Sequence, residues 1–300
     1  MKPPVWIVLA NLFLVYISWG STYIGLKLTL EVLGPFSACG ARMGLGGLLL
    51  CLWLILRGRW RRPTRADLRH AALFGLVMVV MASGFLSKGQ VYIDSTIAAV
   101  VTGSTPITML LAAWLFAGED RPGPAQCFGL AAGFVGLVLL GFSNSEGGVR
   151  ATPGGIAWVL SASFAWVGGS LAMRRRPFKT GLSAEQSCAL LLALGGLESV
   201  LLGLVCGEAE MTRWADLRPA VLVAFSWMVI GGAIIAYSCY FWLLTHTTTA
   251  VAISYEYVVP VIGLFLGWWI GGETVSAVMI FASCLTLGSA FLVMRHKRQA

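Results

Sequence analysis

The segment PITMLLAAWLFAGE at residues 106–119 returns further along the chain as PVIGLFLGWWIGGE at residues 260–273. In each copy the proline, Pro106 or Pro260, is followed at the same distances by Trp114 or Trp268, Gly118 or Gly272, and Glu119 or Glu273. The register holds upstream, where Ala98 stands opposite Ala252, and each copy leads into a further apolar stretch, 124–142 or 275–294. The chain reads as two copies of one unit. Internal repeats in so apolar a chain are the sequence mark of secondary transporters, in which two related halves rock around a site near the bilayer midplane.

Composition sets the solvent. Of 300 residues 58% are hydrophobic and 11% charged, against roughly 25% charged in an ordinary soluble domain. A spanning helix needs about 20 mostly apolar residues, and ten such stretches can be marked: 5–28, 35–56, 71–92, 95–117, 124–142, 154–173, 183–206, 219–243, 249–270 and 275–294. The first follows Met-Lys-Pro-Pro, exceeds a signal-peptide core and lacks a small-residue cleavage site, so it is expected to be retained as span 1. The expected fold is an all-α membrane protein of ten transmembrane helices. The first repeat covers 5–142, a linker 143–153, the second repeat 154–294 and a basic tail 295–300. Five spans per unit is an odd number, so the second unit must run through the membrane upside down.

The net charge of +8 belongs to topology and not to a nucleic-acid partner. Most of the 21 basic residues fall on one side. These are Lys2, the six arginines between Arg57 and Arg69, Arg121, Arg174 to Arg176 with Lys179, and Arg295, Lys297 and Arg298. Lys27, Arg150, Arg213 and Arg218 fall on the other. The positive-inside rule then puts both termini in the cytoplasm. The seven cysteines lie in apolar segments without metal or redox pair spacing, and His70, His246 and His296 sit at loops or helix ends, so no metal or cofactor is expected. The GxxxG steps Gly40–Gly44, Gly129–Gly133 and Gly263–Gly267–Gly271 are expected to pack helices of one chain, which leaves a monomer or weak homodimer.

Trp19-Gly20-Ser21-Thr22-Tyr23, Arg42, Ser95 to Val101, Pro106 and Gly118-Glu119 in the first half resemble the EamA family of the drug/metabolite transporter superfamily, as do Ala165-Trp166, Ser254-Tyr255, Pro260 and Gly272-Glu273-Thr274 in the second. The resemblance covers nearly the whole chain. It implies the ten-helix inverted-repeat fold of the bacterial inner membrane, with a central cavity lined mainly by spans 1, 3, 4, 6, 8 and 9. It also implies export of small metabolites: amino acids, related amphipathic or cationic compounds, or drugs. Where the exporter subgroup carries an acidic residue in span 3, this chain has Lys88.

Four ionisable side chains fall inside the expected spans, Arg42, Lys88, Glu198 and Glu256. A charge near the bilayer centre costs about 2.5 to 3.5 kcal/mol on insertion scales, so each needs a partner, water or a proton. Glu256 lies four residues before Pro260 and is the first candidate for binding a cationic group or for proton or cation coupling; the structural alternative is an ion pair or a neutral carboxyl. Lys88 either snorkels to the headgroups or enters the cavity, where it would attract a carboxylate and, with Glu256, grip a zwitterion. Arg42 is expected to anchor span 2 to a neighbouring helix, and Glu198 to pack. Trp19, Tyr23, Trp166, Tyr237, Tyr240 and Tyr257 are the candidate aromatic solute contacts, weighed against plain packing. Pro106 and Pro260 are expected to kink equivalent helices, and Glu119 and Glu273 to cap the helices that follow. No nucleophile and base pair or metal cluster points to an enzyme. An uptake permease or exchanger of the same fold, and a structural or assembly membrane protein, are the competing readings.

Overall fold

The computed structural model describes residues 3–93, 95–143, 152–175, 181–271 and 276–294. Most of the expected linker, the basic tail and Gly272-Glu273-Thr274 of the second motif lie outside the described residues. Within them the regular structure is helical: α1 Val5–Leu30, α2 Pro35–Leu56, α3 Arg65–Gln90, α4 Ser95–Thr102, α5 Thr105–Ala117, α6 Pro124–Ser143, α7 Pro153–Arg175, α8 Ala184–Val205, α9 Glu208–Met211, α10 Pro219–His246, α11 Thr249–Ile253, α12 Tyr255–Gly271 and α13 Ala277–Met294. Six of these, α1, α2, α3, α7, α8 and α10, are long and apolar enough to cross a membrane. Shorter apolar helices stand where spans 4, 5, 9 and 10 are expected.

The bundle is apolar outside and partly polar inside. Trp6, Phe13, Leu48, Phe116, Phe128, Phe164 and Val223 point outward and are exposed, while Ser87, Ser163, Ser170, Gln186, Ser199 and Thr286 are buried. A water-soluble protein would bury the first set and solvate the second. In lipid the apolar side chains lose nothing by facing out, and helices associate through close packing. The Gly40–Gly44 step accordingly meets α8 of the same chain. A methyl group on Gly40 would stand 2.6 Å from the Gly196 carbonyl oxygen, so the two backbones touch. Gly129 and Gly133 meet α13 and the Tyr257 ring in the same way.

Three local features differ from the expectation. Helix α3 begins at Arg65, inside what reads as a basic loop, because Thr64 and Asp67 form a reciprocal capping box, Thr64 N–H to Asp67 Oδ2 at 2.8 Å and Asp67 N–H to Thr64 Oγ1 at 3.2 Å. The expected spans 4 and 9 are each broken after a short first piece, α4 before α5 and α11 before α12. A serine hydroxyl turns back at each break, Ser104 Oγ to Val101 O at 2.7 Å and Ser254 Oγ to Val251 O at 2.9 Å. Pro106 therefore does not kink a helix: it sits in the first turn of α5, where the N–H it lacks would have no intrahelical partner anyway. Pro260 does lie inside α12, and its missing N–H leaves the Glu256 carbonyl without an i+4 donor.

Helices α3 and α10 each carry a π-helical stretch, Leu76–Gly84 and Met228–Ile235. The wider turn loosens the backbone ladder and makes its carbonyls available to side chains. Tyr237 Oη donates to Met78 O at 3.3 Å in the first stretch, and Trp19 Nε1 donates to Gly232 O at 3.1 Å in the second. Tyr237 also bonds Ser83 Oγ at 2.7 Å across a separation of 154 residues, the separation of Pro106 from Pro260. Side chains at matching places in the two motifs' register thus meet at the middle of the bundle.

Candidate functional site

A cavity of about 130 Å³ opens among α1, α2, α3, α4, α5, α7, α10 and α12. Its walls follow helical periodicity. Trp19, Thr22 and Leu26 of α1 recur at three and four residues, as do Ser83, Leu86 and Gln90 of α3. Arg42 and Met43 enter from α2, Ser163 and Trp166 from α7, Thr102 and Thr105 from the two sides of the α4–α5 break, and Tyr255, Glu256 and Val259 from the start of α12. These positions run from the middle of the bundle toward the end that holds Leu30, Gln90 and Pro153.

Beneath the cavity lies a layer of rings. Trp19 packs against Trp166, Tyr237, Tyr240 and Tyr255 with centroids 5.5, 5.7, 5.5 and 4.5 Å away, and Trp166 tilts onto Tyr240 at 4.9 Å. The hydroxyls are held by the protein: Tyr240 Oη bonds Ser170 Oγ at 2.8 Å, and Tyr16 Oη pairs with Ser254 Oγ at 2.8 Å. At the opposite end of the bundle, the one with the basic 57–64 loop, Arg174 Nε pairs with Glu119 Oε1 at 2.7 Å. Arg174 also donates to Leu244 O at 2.7 Å and Thr247 O at 2.8 Å, while the Thr249 hydroxyl bonds the same Glu119 carboxylate. This cluster ties the ends of α5, α7 and α10 to the start of α11. Glu119 is therefore a cross-helix latch and not a cap: Gly118 ends α5 at φ +70° and turns Glu119 back onto the bundle.

Of the residues singled out in the sequence, Trp19, Trp166, Tyr237 and Glu256 line the cavity together. Tyr240 is fully buried in the ring layer. Tyr257 is fully buried on another side of α12, over Gly133, with its hydroxyl 3.4 Å from Leu130 O; neighbours in a helix diverge by about 100°, so Glu256 and Tyr257 cannot share one face. Lys88 is absent from the lining, and its ammonium lies 5.6 Å from the Tyr92 ring centroid. It stands two residues from both Leu86 and Gln90, which turns it about 200° from their face. The Tyr23 side chain lies outside the described residues. Arg42, expected as an anchor, instead lines the cavity. It is 8% exposed, its Nε has no hydrogen-bond partner, and no ion pair to it is found among the described residues. Among the described residues no group of three or more His, Cys, Asp or Glu side chains is placed to hold a metal ion.

A cavity with a few polar groups in a mostly apolar, aromatic-floored wall, set within a bundle whose surface is apolar, fits a membrane transporter. Residues 5–142 and 153–295 each match the EamA-like transporter family, and the chain belongs to that family. It is 32% identical to the inner membrane transporter YedA of Escherichia coli K12 over 92% of this chain and 90% of that protein. It is 26% identical to a WAT1-related chloroplastic protein of Arabidopsis thaliana over 92% of this chain and 66% of that one. A crystal structure with 19% sequence identity superposes with a TM-score of 0.77 over 97% of this chain and 96% of that one, which shows a shared fold.

Proposed function

We propose that the protein is a multi-pass inner-membrane secondary transporter that exports small amphipathic or cationic metabolites, amino acids among them. The cycle is alternating access around the cavity, with two inverted five-helix repeats as the moving halves and both termini in the cytoplasm. The observation that carries this reading is the asymmetry of the bundle. A cavity with Glu256 in its wall is lined from the α1, α2 and α3 side by residues toward the end that holds Leu30 and Gln90, while packed rings and the Arg174–Glu119 ion pair fill the bundle toward the other end. A solute cavity set to one side of a packed layer is what one half of an alternating-access cycle requires. The YedA relative, an inner membrane transporter by name, and the basic loop at the latched end support the assigned membrane and orientation.

In this reading Glu256 carries the coupling. It holds either the cationic group of the solute or a proton, and the two exchange as the cavity changes sides. Trp19, Trp166 and Tyr237 supply ring faces and edges to the rest of the solute, at roughly 0.5 to 2 kcal/mol per cation contact. The test is counterflow in proteoliposomes with labelled amino acids, nucleobases and organic cations, with and without an imposed proton gradient. Gradient-dependent accumulation that Glu256→Gln abolishes is expected. Unchanged flux and unchanged pH dependence in Glu256→Gln would remove the coupling role, and absence of flux for every solute class would refute transport.

A further inference from the structure

The cavity has a second pole that the coupling carboxylate does not explain. Three side chains that line it carry buried polar atoms without a hydrogen-bond partner: Arg42 Nε, Gln90 Nε2 and Ser163 Oγ. Trp166 Nε1 is a fourth. They come from α2, α3 and α7, so no single helix distortion accounts for them. Each is a hydrogen-bond donor, and Arg, Gln and Trp present only N–H at the atoms named. Buried polar groups in native proteins are almost always paired. A convergent set of unpaired donors around a cavity is therefore built for acceptors that come from outside the chain.

Arg42 fixes the charge of that acceptor. A guanidinium keeps its positive charge, Arg42 is 8% exposed, and the residue one turn before it on α2 is Cys39 and not a carboxylate. The carboxylate of Glu208, near the start of α2, is spent on the amides of Phe36 and Ser37 at 3.1 and 2.7 Å. No described carboxylate comes within ion-pair distance of Arg42, and its planar fork matches a carboxylate with two parallel bonds. With one guanidinium and one carboxylate, Glu256, in the lining, a solute with one charge of each sign leaves the loaded cavity neutral and can pair with both, whereas a simple cation or anion leaves a surplus charge. A dianionic phosphate would place surplus negative charge beside Glu256.

Resting on the transport reading above, we propose that Arg42, Gln90, Ser163 and Trp166 form a carboxylate-binding pole, and that the solute is a small zwitterion held between this pole and Glu256. The role that sequence spacing offered to Lys88 passes to Arg42, because the Lys88 ammonium lies on the Tyr92 ring outside the lining.

The test uses the purified full chain in liposomes and counterflow of labelled L-leucine and L-phenylalanine, with leucinamide, phenylalaninamide and the corresponding amines as competitors. In the wild type the amides and amines should compete at least about tenfold more weakly than the parent acids, since a site built for a charged group rejects the analogue that lacks it. Arg42→Lys, which keeps the charge and loses the fork, should weaken leucine competition about tenfold, and Arg42→Gln about a hundredfold. Lys88→Met should leave it unchanged. If Arg42→Gln does not fold, the paired change Gln90→Leu and Ser163→Ala, which leaves both charges in place, should show the tenfold loss. Equal competition by acid and amide would overturn the pole and leave the transport reading standing, as would flux of amines or nucleobases alone. No flux for any solute would overturn both.

Discussion

Replacing Gly47 by alanine should loosen the protein, whereas the same change at Gly44, one turn earlier on the same helix, should not. Both glycines face α8. A Cβ on Gly47 would stand 2.7 Å from the Ala189 carbonyl oxygen and from Ala193 Cα, and closer still to Ala193 N. A Cβ on Gly44 would meet Gly196 Cα at 3.6 Å, an ordinary van der Waals contact. At Gly47 the obstacles are backbone atoms of a second helix, which cannot rotate away, so α2 and α8 must part locally. Overpacking of this kind costs about 1 to 3 kcal/mol, against which the helix propensity of alanine returns up to about 1 kcal/mol. Since the propensity gain is common to both, Gly47→Ala should be about 1 to 3 kcal/mol less stable than Gly44→Ala, which should itself be neutral or gain up to about 1 kcal/mol. Reversible unfolding in mixed micelles with rising SDS fraction measures both. Equal stability of the two variants would show that α2 and α8 are not in backbone contact at Gly47, and with that the placement of Arg42 would lose its support.

Arg174→Ala removes the ion pair to Glu119 and two carbonyl bonds at the latched end. A loss of about 1 to 2 kcal/mol shifts a two-state equilibrium roughly tenfold. Spin labels at Arg121→Cys and Thr245→Cys in a cysteine-free background should then show a longer distance population, and an unchanged distribution would mean that the cluster does not latch anything. Cys206 and Cys127 are both exposed and lie near opposite ends of the bundle, so in intact cells a membrane-impermeant maleimide should label a single-cysteine protein at Cys206 and leave Cys127 unlabelled until the cells are opened. The reverse pattern would invert the orientation. Glu208→Ala strips the start of α2 of a carboxylate 1% exposed and bonded to two amides, and should cost about 1 to 3 kcal/mol in the same micelle titration; no loss would mean that water serves those amides equally well.

Much of the scaffold is legible in the sequence because its causes are local. Apolar length marks the helices, and capping chemistry marks their starts. The capping box at Thr64 and Asp67 is as plain in the chain as in the structure, and its [ST]-x-x-[DE] spacing announces α3 six residues before the apolar run that marks the span. The place of Lys88 was also within reach, since Ser83, Leu86 and Gln90 share one helical face and Lys88 does not. Other features have tertiary causes. The π-helical stretches give up regular ladder bonds in exchange for Tyr237 and Trp19, which arrive from far along the chain. Glu119 has a partner at Arg174 that no spacing rule connects to it. Arg42 is conspicuous as an arginine in an apolar span, but that its Nε goes without a hydrogen-bond partner becomes visible only once every neighbouring helix is in place.

The polar groups in the cavity wall differ between the two halves. Ser83 and Tyr237, related by the spacing of the repeated motif, meet in a hydrogen bond. The same spacing relates Thr102 to Glu256, and both line the cavity. A perfectly repeated chain would place two carboxylates or two hydroxyls at that level, and like charges across so small a space would disfavour each other's ionised form. One carboxylate opposite one hydroxyl avoids that cost. It also leaves the guanidinium of the first half, on α2, as the sole counterpart charge in the described lining. If the two halves rock as proposed, divergence at these few positions would give a bound zwitterion a head and a tail. A scaffold of identical halves could not hold a zwitterion in one orientation, because each half would offer both ends the same contacts.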